Sequence, residues 1–100
     1  RLNGIALSGI TELYILETNF DKAQHYYNRL IRLIRESGMQ HTSQSLWQGI
    51  RIANHFKSRE QALGLAYLLN EMYPDSNENQ NALILLNLNN QNNNSANGAQ

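Results

Sequence analysis

The stretch Asn19–Leu30, NFDKAQHYYNRL, decides how the chain is read. Its Ala23, Tyr27 and Leu30, continued by Ile34, recur at intervals of four and three, which lines them up along one side of an α-helix. Asn19 is suited to cap that helix, since its side-chain oxygen can accept from a first-turn amide, and Gly38 suits the left-handed residue just past its end. Upstream, Leu7, Ile10 and Tyr14, with Leu13 beside them, mark an earlier helix over residues 5–17. A short turn before Phe20 makes the two a hairpin spanning 5–36.

The same alternation continues downstream. A third helix runs from Ser43 to Phe56 with Leu46, Gly49, Ile50, Ala53 and Phe56 as its buried stripe. Ser58 with Gln61 has the capping-box spacing that opens a fourth helix. Pro74, the only proline, forces Tyr73 out of helical geometry and closes it. Asp75 or Ser76 can then cap a final helix reaching Leu88, with Ala82, Leu85 and Leu86 as its apolar side. No alternating β-branched run is present, so the fold class is all-α. The expected domain covers residues 1–88, as hairpins 5–36 and 43–73 with a capping helix 76–88. Residues 89–100, NNQNNNSANGAQ, carry no large apolar side chain and read as a disordered Asn-rich tail, the alternative being a binding or aggregation segment.

Composition narrows the function. A length of 100 residues allows one small core, and eight basic against eight acidic side chains leave no positive field for a nucleic-acid backbone. The longest apolar runs, such as Ala62–Leu69, fall far short of the roughly 20 residues that cross a bilayer, so no membrane span is expected. There is no cysteine, which removes disulfides, thiolate metal sites and thiol nucleophiles together. The chain enters its periodic pattern directly after Arg1, with no leader, and reads as a piece of a longer polypeptide.

Self-similarity carries the argument further. Ala62 lies 39 residues after Ala23, and at that offset Leu46, Gly49–Ile50 and Ala53 take the places of Leu7, Ile10 and Tyr14. The period exceeds a tetratricopeptide unit, roughly 34 residues, by an excess that the SGMQHT loop can absorb. The pattern resembles tetratricopeptide repeats: NFDKAQHYYNRL is similar to that family's turn and second helix, where the small Ala23 lets two helices approach and Tyr27 fills the gap behind it. The first unit has Arg35 where the family closes with proline, and the second has Arg59 where an aromatic such as Phe20 is usual. The resemblance implies helix hairpins stacked as a short right-handed solenoid with a C-terminal cap; a plain helical bundle is the rival reading.

A narrower resemblance covers Ser45–Gln80, SLWQGIRIANHFKSREQALGLAYLLNEMYPDSNENQ, through Ser45–Leu46, Gly49–Ile50–Arg51, Ala53, Tyr73–Pro74, Ser76, Glu78 and Gln80. These residues resemble the C-terminal end of the PilF/PilW pilotin family, the outer-membrane lipoproteins that assemble type IV pili. The resemblance implies a periplasmic repeat protein, tied to the outer membrane by an N-terminal lipid anchor outside this segment, that helps the pilus secretin assemble. It also implies that the main secretin-binding surface lies further upstream.

Catalytic patterns are missing. His25, His41 and His55 have no partner at helical metal-ligand spacing, and no phosphate loop, nucleophile elbow or paired carboxylate is present, so neither enzyme activity, a metal nor a cofactor is expected. Arg29, Arg32 and Arg35 form a turning row along the second helix, read as a solvated face pairing with carboxylates such as Glu36, or else as a site for an acidic partner. Phe20, Tyr26 and Tyr67 read as inter-helix packing. In the third helix Trp47, Arg51 and Asn54 lie one step off the buried stripe, and the matching row in the first helix is Ser8, Glu12 and Ile15. An aromatic anchor beside directional donors has the composition of an interface hot spot, which makes Glu12, Trp47, Arg51 and Asn54 the candidate partner-binding residues. The competing reading places Trp47 in the core. Tyr14, Phe20, Ala23, Tyr27, Leu46, Gly49, Ala53, Ala62 and Pro74 are the repeat's structural positions.

Overall fold

A computed structural model describes residues 3–88. The chain is all-α, with α1 Gly4–Leu16, α2 Phe20–Ser37, α3 Ser43–His55, α4 Arg59–Met72 and α5 Asn77–Leu85. The Asn-rich stretch 89–100 lies outside the described residues.

Helix ends are set by local chemistry. Asn3, Asn19, Thr42 and Ser76 each accept a first-turn amide through the side chain, which satisfies a donor that the helix itself leaves unpaired. Thr42 and Ser45 form a reciprocal capping box. The box expected at Ser58 with Gln61 does not form, because Ser58 makes no side-chain cap bond. Gly38 closes α2 in the left-handed region at φ 71°. Ser76, not Asp75, caps α5, which ends at Leu85 rather than Leu88.

The two hairpin turns are built alike. Thr18 and Lys57, 39 residues apart, both adopt positive φ, 57° and 60°. In each turn the following amide reaches back five residues, Asn19 N to Tyr14 O at 2.8 Å and Ser58 N to Ala53 O at 2.9 Å. This is a Schellman closure whose left-handed residue is not glycine, repeated at the period of the side-chain pattern.

Two apolar clusters result. The first joins Leu7, Ile15, Ala23, Tyr27, Leu30 and Ile34 with Ile52 of α3. The second joins Leu46, Ile50, Ala53, Ala62, Ala66, Leu69, Ala82 and Leu86. Helix α3 therefore buries two faces, and among the described residues it alone packs against all four other helices; the backbones of α1 and α2 do not come near α4 or α5. On α1 the buried line is Leu7, Thr11 and Ile15 rather than Leu7, Ile10 and Tyr14. Thr11 tolerates full burial because its hydroxyl donates to Leu7 O at 2.7 Å. Leu13, Phe56 and Leu85, expected on buried stripes, are exposed.

Gly49 allows α2, α3 and α4 to converge. A Cβ there would lie 2.8 Å from Tyr27 Cζ, 2.9 Å from Leu65 Cδ1 and closer still to the Tyr27 hydroxyl. At Gly64, in the middle of α4, a Cβ meets nothing within 4 Å. Alanine favours a helix over glycine by up to about 1 kcal/mol, whereas overpacking a filled site costs about 1–3 kcal/mol. Denaturant unfolding is expected to show Gly64→Ala stabilised by up to about 1 kcal/mol and Gly49→Ala destabilised by about 2 kcal/mol.

Candidate interaction site

Helices α1 and α3 lie side by side, and residues four apart on each share a face. That puts Ser8 and Glu12 on α1 opposite Trp47, Gln48 and Arg51 on α3. Arg51 grips the Glu12 carboxylate with both ends of its guanidinium: Nη1 donates to Oε2 at 2.9 Å and Nη2 to Oε1 at 2.6 Å. Gln48, fully buried, donates through Nε2 to Ser8 O at 2.9 Å and to Glu12 Oε1 at 3.1 Å. Its own Oε1 accepts from the Ser8 hydroxyl at 3.3 Å. Arg51 Nε is buried without a partner.

These contacts act on the carboxyl group. The hydrogen bonds from Arg51 hold Glu12 below its ordinary value near 4.5, against the opposing effect of burial, and Gln48 and the Arg51 charge add to the lowering. The guanidinium carbon also stands 4.8 Å from the centre of the Trp47 ring, within cation–π range. Trp47 is half-buried and packs against the second cluster. Its indole is thus neither plain core nor free groove.

The structure gathers Glu12, Trp47 and Arg51 into one network and leaves Asn54 exposed outside it. Of the matching α1 row, Ile15 belongs to the core. Gln48 is the member that pattern reading missed. Its signal was the second stripe of α3, Ser45, Gln48, Gly49 and Ile52, all of them buried.

Among the repeat positions, Ala23, Tyr27, Leu46, Gly49, Ala53 and Ala62 are buried, Tyr14 and Phe20 half-buried, and Pro74 exposed. Phe20 stacks on His55 at 4.0 Å across the two hairpins, and Tyr14 on Tyr26 at 5.7 Å. Tyr67, expected to pack between helices, is exposed. The row Arg29, Arg32 and Arg35 is exposed, with Arg29 lying 5.6 Å from the Tyr26 ring. The ion pair expected with Glu36 is not formed: among the described residues the salt bridge is Arg51–Glu12. Among the described residues no group of three His, Cys, Asp or Glu could hold a metal ion, and no helix is long and apolar enough to cross a membrane. Neither a family model, a curated protein nor a solved structure matches the chain.

Complete truncation of a buried aromatic costs about 3–5 kcal/mol, so for the half-buried indole Trp47→Ala is expected to lose about 2 kcal/mol in denaturant unfolding. Because the folded state lowers the Glu12 pKa, the carboxylate contributes stability above its ordinary range, and this is lost as pH falls through the lowered value. Unfolding measured from pH 7 downward is expected to show that acid-side loss in the native chain and a flatter profile in Glu12→Gln.

Proposed function

We propose that the chain is a non-catalytic protein-interaction scaffold of the tetratricopeptide type, whose α1 and α3 line the surface on which a partner segment lies. The observation that carries this reading is the state of Trp47: a partly buried indole held under Arg51, which is itself fixed by Glu12. An aromatic ordered before contact loses little entropy on binding, and such residues dominate interface energies. Glu12 and Arg51 neutralise each other, so the surface selects by apolar contact and hydrogen bonding more than by charge.

The twofold use of one hairpin turn supports a repeat stack, whose right-handed sense is what the tetratricopeptide resemblance implies. The resemblance of Ser45–Gln80 to pilotins takes the proposal further: the chain is the C-terminal part of a type IV pilus assembly lipoprotein, held in the periplasm at the outer membrane by an anchor outside these residues, with the secretin as partner, its main contact further upstream and the α1–α3 face adding to it. A second reading, a self-associating helical module, is favoured by Ile5, Leu13 and Leu16 of α1, which are 87%, 60% and 69% exposed.

Purified pilus secretin subunit, passed over the immobilised full-length polypeptide that carries this chain, is expected to be retained, and retention to weaken about tenfold with Trp47→Ala. A tenfold change is about 1.4 kcal/mol, well within the range of one interface aromatic. Absence of retention rejects the pilus reading, and retention indifferent to Trp47 rejects this face as the site. Light scattering over a range of concentrations is expected to show a monomer; a growing mass would favour self-association.

A further inference from the structure

Between the N-terminal ends of α1 and α3 lies a cavity of about 370 Å³, walled by Ile5, Ser8, Leu30, Ile34, Met39 and Thr42. That is the lower end of the range for small-ligand sites. Among the described residues no charged side chain lines it, and its surface is mainly apolar with Gln40 and Gln44 contributing polar groups.

The internal repeat says what shape the cavity lacks. Helix caps Asn3 and Thr42, turn residues Thr18 and Lys57, and buried Ala23 and Ala62 all stand 39 residues apart. At that offset Ser8 corresponds to Trp47, and Leu30 to Leu69. In the second unit the Trp47 indole packs against the cluster containing Leu69. In the first unit the corresponding helix position carries a serine, and the space above Leu30 is open. Backbone does not block it: a Cβ on Gly9, another of the lining residues, would meet nothing within 4 Å.

We infer that this cavity receives an uncharged aromatic side chain, of indole size, from a partner segment lying across α1 and α3, in the register where the second unit places its own Trp47. The inference rests on the proposed interaction face and names the chemistry that face selects. An aromatic ring supplies the apolar area that Leu30, Ile34 and Met39 offer, and its polar edge can turn to Gln40 or Gln44. A carboxylate or ammonium group would lose part of its hydration there and find no opposite charge among the described lining residues.

The probe is N-acetyl-tryptophanamide, titrated into the isotope-labelled chain and followed by amide chemical shifts. Shifts are expected to concentrate at Gly4, Ser8, Gly9, Gln40, Thr42 and Gln44, while the acetylated amides of aspartate and lysine leave them in place. Gly9→Leu, at a position where a Cβ meets nothing within 4 Å, fills the space without touching the Ser8–Gln48 bonds and is expected to weaken the probe at least tenfold with helix content unchanged. Ser8→Trp, which also removes the hydroxyl that Gln48 accepts from, is the second filling variant; Gly64→Ala, outside the cavity, is expected to keep the probe. Shifts scattered over the surface, or a probe indifferent to both filling variants, overturn the inference. Trp47→Ala separates the two proposals: if it still weakens the secretin while the probe fails to bind, the interaction face stands and the aromatic receptor falls.

Discussion

The missing Cβ at Gly49 is the constraint on which the arrangement of helices depends. The Tyr27 ring occupies the space a side chain would need, and its hydroxyl donates to Ser45 O at 2.9 Å, one turn earlier on α3. Burial pushes the Tyr27 pKa far up, so the phenol remains protonated and remains a donor throughout the physiological range. Leu65 of α4 closes on the same glycine from the other hairpin. One residue without a side chain thus fixes how near α2 and α4 come to α3. Since the backbones of α1 and α2 approach neither α4 nor α5, the two halves are held together mainly through α3.

Proximity alone leaves α3 free to rotate or slide along α1, and the polar seam removes that freedom. A buried amide is costly unless its donors and acceptor are met, and Gln48 meets them with Ser8 and Glu12 in a single register. Arg51 adds a two-pronged bond whose planar geometry tolerates little displacement. The seam contributes specificity of setting more than net stability, because desolvation offsets much of the attraction in a partly buried ion pair. Its consequence for the site is direct, since the guanidinium held on Glu12 is also the group that lies over Trp47.

The helices and the hairpin pairing were legible because they rest on local rules: apolar spacing, Asn19 and Ser76 as caps, Gly38 and Pro74 as stops. Which face of α1 turns inward was not. Ile5, Leu7, Ile10, Leu13, Ile15 and Leu16 surround that helix with apolar residues, so periodicity could not choose among them, and the hydroxyl of Thr11 concealed a core position. At the site, pattern reading grouped Glu12, Trp47 and Arg51 as residues facing a partner. It could not show that Glu12 and Arg51 face each other, since nothing local links positions 39 residues apart. Gln48 was hidden for a related reason: a helix buried on two sides carries polar residues inside, and α3 looks one-sided until α1 is placed against it.

The first-helix cap and the hairpin turn recur 39 residues apart while the side chains differ, and on the proposed reading those differences are where recognition resides. Both turns hold a non-glycine residue at positive φ, Thr18 and Lys57, a conformation that costs energy and so persists only where the surrounding hydrogen bonds enforce it. With the two turns matched, the differences at corresponding positions have chemical meaning. Ser8 leaves a cavity where its counterpart Trp47 supplies an indole. Glu12 supplies the carboxylate that its counterpart Arg51 grips. On the proposed reading neither unit alone offers both an aromatic anchor and an apolar receptor; the two together, held in register by Gly49 and Gln48, would present them side by side on adjacent helices.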